Sequence, residues 1–282
     1  MYTTLISAAD AARHLTDPAF VFVDVRHDLA RPDAWGETEY RAGHVPGAVF
    51  AHVDRDLSAP KTGMNGRHPL PSPESAAATF GSLGIDATKQ VIVYDQQQGM
   101  FASRLWWTLR WLGHDAVAVL DGGFDKWKRD GLPVATDTPA VQPTSFAIRR
   151  TGPVVTTGDV VASLPARSLV IVDARSPERF RGETEPLDPV AGRIPGSINR
   201  PGSQNLAPDF TFKPAPQLRA EFERLLAGVP LDRVVHSCGS GVTACHNVLA
   251  MEVAGFPATR LYPGSWSEWV ADPARPVATG PT

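Results

Sequence analysis

A chain of 282 residues, 43% hydrophobic and 20% charged, is long for a single core and comfortable for two domains of ordinary size. Its net charge of −3, from 27 basic and 30 acidic residues without a basic cluster, leaves no electrostatic footprint for nucleic acid or an anionic membrane. No apolar run approaches the roughly 20 residues of a membrane helix, and the start, Met1-Tyr2-Thr3-Thr4-Leu5-Ile6-Ser7, lacks the basic and apolar regions of a secretory signal. A cytoplasmic address and a small-molecule partner are therefore expected. The cysteines are Cys238 and Cys245, too few for a disulfide framework or a cysteine-rich zinc site.

In chain order, the first β-branched run, at 21–25, lies in Phe20-Val21-Phe22-Val23-Asp24-Val25-Arg26 and is followed by His44-Val45-Pro46-Gly47-Ala48. A second run, 91–94, leads through Asp95 to a helical stretch ending at Gly113. A third, 117–120, precedes Gly122-Gly123-Phe124-Asp125-Lys126-Trp127. Pro133, Pro139, Pro143 and Pro153 then mark a linker. Beyond it the same order returns. Leu169-Val170-Ile171-Val172-Asp173-Ala174-Arg175 precedes Arg193-Ile194-Pro195-Gly196-Ser197, and the spacing from Asp24 to Gly47 and from Asp173 to Gly196 is 23 residues in both halves. Val234-Val235-His236-Ser237-Cys238 matches Val91 to Asp95, the helix behind it ends at Gly255, and Gly264-Ser265-Trp266-Ser267-Glu268-Trp269 closes the half. The chain is a duplication. Short strands alternating with helices predict α/β architecture: two tandem domains, each a parallel β-sheet flanked by helices, at 1–137 and 153–282 with a linker at 138–152.

Ligands of open α/β sheets bind beyond the carboxyl ends of strands, where Cys238 sits. A cysteine there is ordinarily a small core residue, but Gly239-Ser240-Gly241 can turn backbone N–H groups into a concave nest, and Val242-Thr243-Ala244 then opens a helix. Converging N–H dipoles favour the thiolate over the thiol. Cys238 is thus the expected nucleophile, with Gly239, Gly241, Val242 and Thr243 forming the anion cradle. Cys245, within the helix beside Val242, Val248 and Leu249, reads as structural, and if the segment after Cys238 is helical, seven positions separate the two sulfurs by about 10 Å along the axis, too far for an unstrained bridge. The duplication places Asp95 where Cys238 sits.

On the tandem halves, the Cys-Gly-Ser-Gly-Val-Thr-Ala loop and the closing Gly-Ser-Trp-Ser-Glu-Trp, the chain resembles the rhodanese-type sulfurtransferases over nearly its whole length. The resemblance implies rhodanese-like domains, an N-terminal one that is inactive and walls the active site, and a catalytic C-terminal one. A carboxylate such as Asp95 cannot carry a persulfide, in keeping with that division. Within the family a Cys-Gly-Ser-Gly-Val loop goes with 3-mercaptopyruvate sulfurtransferases, whereas thiosulfate sulfurtransferases usually carry Arg and Lys in the two positions held here by Gly239 and Ser240. Thiosulfate is a dianion helped by fixed positive charge, and this loop carries none. Mercaptopyruvate offers one carboxylate and a ketone, suited to a bidentate arginine.

The resemblance further implies that Arg179 binds the substrate carboxylate, that Ser240 relays a proton from the substrate thiol, and that His68 and Asp54 of the N-terminal domain assist it. Animal mercaptopyruvate enzymes carry a second arginine soon after Arg179. Here that region reads Leu187-Asp188-Pro189, so Arg193, in place of the usual histidine before Ile-Pro-Gly, or Arg181 is expected to supply the second positive group. The implied reaction is ping-pong through a Cys238 persulfide, with cyanide, a small thiol or thioredoxin as acceptor and no metal or organic cofactor. Three alternatives stand beside it: thiosulfate as donor, a cysteine phosphatase, and a non-catalytic binding module. The phosphatase needs an arginine six positions after the cysteine, where Ala244 stands.

Overall fold

Alternating β-branched runs and helical segments fold as their periods dictate. A computed structural model describes residues 1–31, 33–96, 98–152 and 154–281. Two compact units emerge. The first comprises Met1–Ala59, Pro71–Gly152 and Pro208–Phe212, and the second Pro60–Leu70, Pro153–Ala207 and Lys213–Thr282. The units therefore differ from two plain halves: residues 60–70 cluster with the second unit and 208–212 with the first. Pro153, the expected start of the second domain, lies outside the described residues.

The first unit contains β1 (Leu5–Ile6), α1 (Ala8–Ala12), β2 (Phe20–Asp24), α2 (Trp35–Ala42), β3 (Val49–Phe50), α3 (Val53–Asp56), α4 (Pro73–Ser82), β4 (Gln90–Tyr94), α5 (Ala102–Trp111), β5 (Val117–Leu120) and α6 (Gly123–Arg129). Its strands pair in parallel in the order β1-β5-β4-β2-β3. Every residue of β4 is buried, which explains why this strand reads as a continuous apolar run instead of an alternating one. Ile6, Phe22, Ile92, Tyr94, Phe124 and Trp127 belong to its core. Residues 138–152 form no helix or strand; Thr144 and Arg149 fasten them to this unit through N–H bonds to the carbonyls of Gly81 and Leu112, both within 3.0 Å.

The second unit contains α7 (Thr157–Ser163), β6 (Val170–Asp173), α8 (Pro177–Arg181), β7 (Ile198–Asn199), α9 (Ala215–Leu226), β8 (Val234–Ser237), α10 (Ala244–Val253), β9 (Arg260–Leu261) and α11 (Ser265–Trp269). Its sheet runs β7-β6-β8-β9, all parallel. The capping box of Thr156 and Asp159 starts α7. Val155, Ile171, Val235, Tyr262, Trp266 and Trp269 lie in its core.

The duplication extends to buried ion pairs. Asp24 ends β2 and binds Arg26, whose guanidinium donates to Gly43 O at 2.6 Å and stacks on Phe124 at 4.4 Å. Asp173 ends β6 and binds Arg175, which donates to Gly192 O at 2.7 Å and stacks on Trp266 at 4.7 Å. Each pair ties a strand end to the closing helix of its unit. Among the described residues no helix is long and apolar enough to cross a membrane.

Candidate active site in the second unit

β8 delivers Cys238 to the carboxyl edge of the second sheet, 3% exposed. The chain then turns back under the sulfur. Cys238 Sγ accepts the N–H of Gly241 at 3.2 Å and of Ser240 at 3.5 Å. Gly241 makes this possible: its φ is +77°, and a Cβ there would lie 2.2 Å from Pro263 O. The α11 start locks the loop from the other side. Cys238 N–H donates to Ser265 Oγ at 3.1 Å, while Trp266 and Ser267 N–H donate to the carbonyls of Cys238 and Gly239. Ser265 holds a left-handed φ of +52°, a conformation costing about 1–2 kcal/mol for an L-residue, and its hydroxyl also donates to Tyr262 O. This brace was not apparent from sequence. Val242 is buried behind the loop, Thr243 stands at the N-cap position of α10 without a side-chain capping bond, and Cys245 Sγ, fully buried, donates to Gly241 O at 3.3 Å. Both thiols are free.

Ser240 Oγ lies 2.7 Å from His68 Nδ1, both buried. His68 belongs to segment 60–70, so this contact forms within the second unit. Asp54 lies in α3 of the first unit, its Oδ2 3.7 Å from His27 Nε2. His27, His52 and Asp54 have ligand atoms within 4.8 Å of one another, yet they do not fit a metal ion. His52 Nδ1 accepts the N–H groups of Asp54 and Arg55, so the neutral ring carries its proton on Nε2 and keeps no lone pair for coordination.

Two guanidinium groups stand over Gly239. A Cβ at that position would lie 2.7 Å from Arg67 Nη2 and 3.4 Å from Arg179 Nη2. Arg179 donates to both carboxylate oxygens of Glu185, at 3.1 and 2.6 Å, and its Nη2 lies 3.4 Å from Asp188. Arg67 Nη1 donates to Asp188. Burial would raise the Glu185 pKa, but hydrogen bonds from Arg179 and Leu187 N–H, with the nearby charges of Arg179 and Arg175, hold it below the usual carboxylate range.

The arginines expected to act as the second positive group are placed differently. Arg193 N–H and C=O bridge Ala278, repeating the bridge of His44 with Ala135, while its guanidinium stacks on Phe180 and donates to Gly280 O at 2.7 Å. Arg181 pairs with exposed Glu183 at 2.6 Å. Neither reaches the space above Gly239 that Arg67 and Arg179 occupy. Arg67 was passed over in sequence, although it adjoins His68 in the same segment. The expectation of a neutral cradle holds for the loop's own residues only, since distant segments bring positive charge to it.

In the first unit the matching loop carries Asp95 in place of a thiol. Asp95 accepts the N–H groups of Gly99 and Phe101 at 2.9 Å and of Ala102 at 3.2 Å, filling its own anion cradle with a carboxylate. Burial nevertheless raises the Asp95 pKa above its ordinary value, against the opposing effect of those N–H groups.

Two α/β units, one with a thiol seated in an N–H cradle and the other with a carboxylate at the matching position, define a tandem scaffold. A model described as "Rhodanese-like domain" matches residues 7–130 and 156–272, and the chain belongs to this family. It is 45% identical over 279 residues, 98% of each chain, to a Pseudomonas aeruginosa protein named "Probable 3-mercaptopyruvate sulfurtransferase". It is 41% identical over 285 residues, 98% of this chain and 97% of the other, to a Mycobacterium tuberculosis protein named "Putative thiosulfate sulfurtransferase SseB". The crystal structure of SseA from Escherichia coli, titled as a 3-mercaptopyruvate sulfotransferase, superposes with a TM-score of 0.78 at 34% identity, covering 95% of this chain and all of that one.

Proposed function

We propose that this chain is a sulfurtransferase that takes sulfane sulfur from 3-mercaptopyruvate onto Cys238 and passes it to a thiophilic acceptor. The observation that carries the reading is the Cys238 sulfur facing two N–H groups, with Ser240 and His68 hydrogen bonded beside it and two guanidiniums above Gly239. The guanidiniums hold the donor carboxylate. Cys238 thiolate attacks the donor sulfur, the carbon–sulfur bond breaks, and its electron pair leaves on the carbon side as pyruvate enolate. The thiol proton of the donor passes through Ser240 and His68 and ends on the enolate carbon, giving pyruvate and a Cys238 persulfide anion. The loop N–H groups stabilise the negative sulfur during transfer. Cyanide, a small thiol or reduced thioredoxin then attacks the outer sulfur and returns the thiolate. No metal or organic cofactor enters this scheme, and a reducing cytoplasm suits the free thiol. The part of Asp54 in the proton relay rests on the family resemblance.

Thiosulfate is the second reading, favoured by the paired guanidiniums and by the name of the M. tuberculosis relative. Mass spectrometry after incubation with each donor, on wild type and Cys238→Ser, tests both. The expected result is one added sulfur atom on wild type alone, with mercaptopyruvate the faster donor. Ser240→Ala is expected to slow persulfide formation from mercaptopyruvate about a hundredfold and from thiosulfate far less, since thiosulfate has no thiol proton to relay. Equal turnover by Cys238→Ser would end the reading.

A further inference from the structure

We propose that Ser265 is a positioning residue for the Cys238 thiol, its hydroxyl being inserted as a rung between β8 and the chain leaving β9 so that the sulfur is seated over the loop N–H groups. The inference rests on the reading of Cys238 as the sulfur carrier and is independent of which donor supplies the sulfur. Three observations carry it.

The first is the ladder. β8 and β9 pair in parallel with Val235 opposite Arg260 and His236 opposite Leu261, and Tyr262 N–H donates to His236 O at 3.0 Å. The next bond of such a ladder would run from Cys238 N–H to Tyr262 O. Instead the Ser265 hydroxyl stands between them, accepting Cys238 N–H at 3.1 Å and donating to Tyr262 O at 2.9 Å. One oxygen atom thus spaces the end of β8 from the chain beyond β9, at the residue that carries the thiol. The sheet opens there without leaving the Cys238 N–H unpaired.

The second is the duplication. Phe124 and Asp125 N–H donate to the carbonyls of Asp95 and Gln96 at 2.9 and 2.8 Å, as Trp266 and Ser267 N–H do to those of Cys238 and Gly239 at 3.0 and 2.8 Å. The residue before Phe124 is Gly123 at φ +62°, and the residue before Trp266 is Ser265 at φ +52°. Both units therefore hold a left-handed residue at this point, which glycine supplies without strain and serine does not. The strained choice stands in the unit whose loop carries a thiol, and what it adds is a hydroxyl.

The third is the constraint on the sulfur. Ser265 fixes the N–H of Cys238 and Trp266 N–H fixes its carbonyl, so consecutive residues hold both peptide groups of the cysteine. The sulfur is thereby directed at the N–H groups of Gly241, at 3.2 Å, and Ser240, at 3.5 Å. Ser265 itself is fully buried, with its proton committed to Tyr262 O, and has nothing to offer a donor. Its hydroxyl acts on the sulfur through the peptide. Without it the rung closes, drawing the cysteine backbone toward Tyr262 and unseating the thiolate from the N–H groups that stabilise it.

The test uses the full chain in two assays. Single-turnover persulfide formation on Cys238, followed against mercaptopyruvate concentration, separates the limiting rate from the half-saturating concentration. Alkylation of Cys238 by iodoacetamide as a function of pH, with the modified cysteine identified by fragmentation in the mass spectrometer, needs no sulfur donor. Ser265→Ala removes the hydroxyl and keeps the strain, whereas Ser265→Gly removes both, so Ser265→Gly should melt measurably higher than Ser265→Ala. Both are nevertheless expected to lose about tenfold in limiting rate, the effect of one hydrogen bond, with the half-saturating concentration unchanged. In both, the rise of the alkylation rate should move to higher pH by about half a unit or more. A merely structural serine would make the rate follow stability and leave the alkylation profile of Ser265→Gly where wild type has it. A Ser265→Gly protein with the wild-type limiting rate, or with the wild-type alkylation profile, would overturn the proposal. Failure of the sulfur-carrier reading has a different signature: wild type acquires no sulfur from either donor, while the alkylation profile still shifts in Ser265→Gly.

Discussion

His236 lies two residues before Cys238 on β8, pairs in register with Val172 and Leu261, and is fully buried. Neither ring nitrogen has a hydrogen-bond partner among the described residues. Desolvation alone pushes its pKa from 6.5 down to about 3. The folded protein cannot accept this proton where the unfolded chain does, so the contribution to stability is complete above pH 6.5 and is lost as the pH falls toward 3. At about pH 4.5, two units below the unfolded value, the loss amounts to about 3 kcal/mol, a large share of the roughly 5–15 kcal/mol by which domains are stable. His236→Leu, which brings the position close to Val93 of the first unit, removes the liability and the two unpaired nitrogens. It is expected to be more stable than wild type at neutral pH, by about 1–3 kcal/mol, and more so in acid. Urea unfolding of both proteins near pH 7.5 and pH 4.5, followed by tryptophan fluorescence, measures the difference at each pH. A difference that does not grow on acidification would refute the reasoning, because it would mean the imidazole is protonated in the fold.

Two further expectations concern other parts of the molecule. Gly241→Ala should cut the rate of persulfide formation at least about tenfold and lower the melting temperature by several degrees, since the new Cβ both meets Pro263 O and disfavours the left-handed φ; a variant with wild-type persulfide kinetics would show that the N–H cradle is dispensable. In the first unit, burial raises the Asp121 pKa to about 6 despite the N–H of Phe212. Its stabilising effect is full below the unfolded value of 3.8 and lost as pH rises through about 6, so Asp121→Asn should gain about 2 kcal/mol over wild type near pH 7.5 and almost nothing near pH 4 in the same unfolding assay.

Much of the site could be read from local features. β-branched runs locate the strands because a doubly covered parallel strand is apolar along its length, and β8 duly ends where Cys238 begins. Gly241 could be singled out because a loop reversing beneath a sulfur needs positive φ, which glycine adopts without strain. Asp95 against Cys238 in a repeated frame distinguishes the two loops from sequence alone. Ser265 could not be recognised in this way, since its left-handed backbone becomes useful only when β8 and α11 are adjacent.

The chain's own order therefore determined the duplication, the α/β class and which of the two matching loops carries a thiol, all of which depend on residues close together along the chain. Tertiary structure decided the charge around that loop. Arg67 reaches Gly239 from a segment that clusters with the second unit, Asp188 turns from an absent arginine into the support of a present one, and Arg193 becomes a tie to the C-terminal segment through its isolated bridge with Ala278. Periodicity records which face of an element is buried. It does not record where a long, flexible guanidinium is carried by an irregular segment, and that placement depends on packing between parts of the chain far apart in sequence.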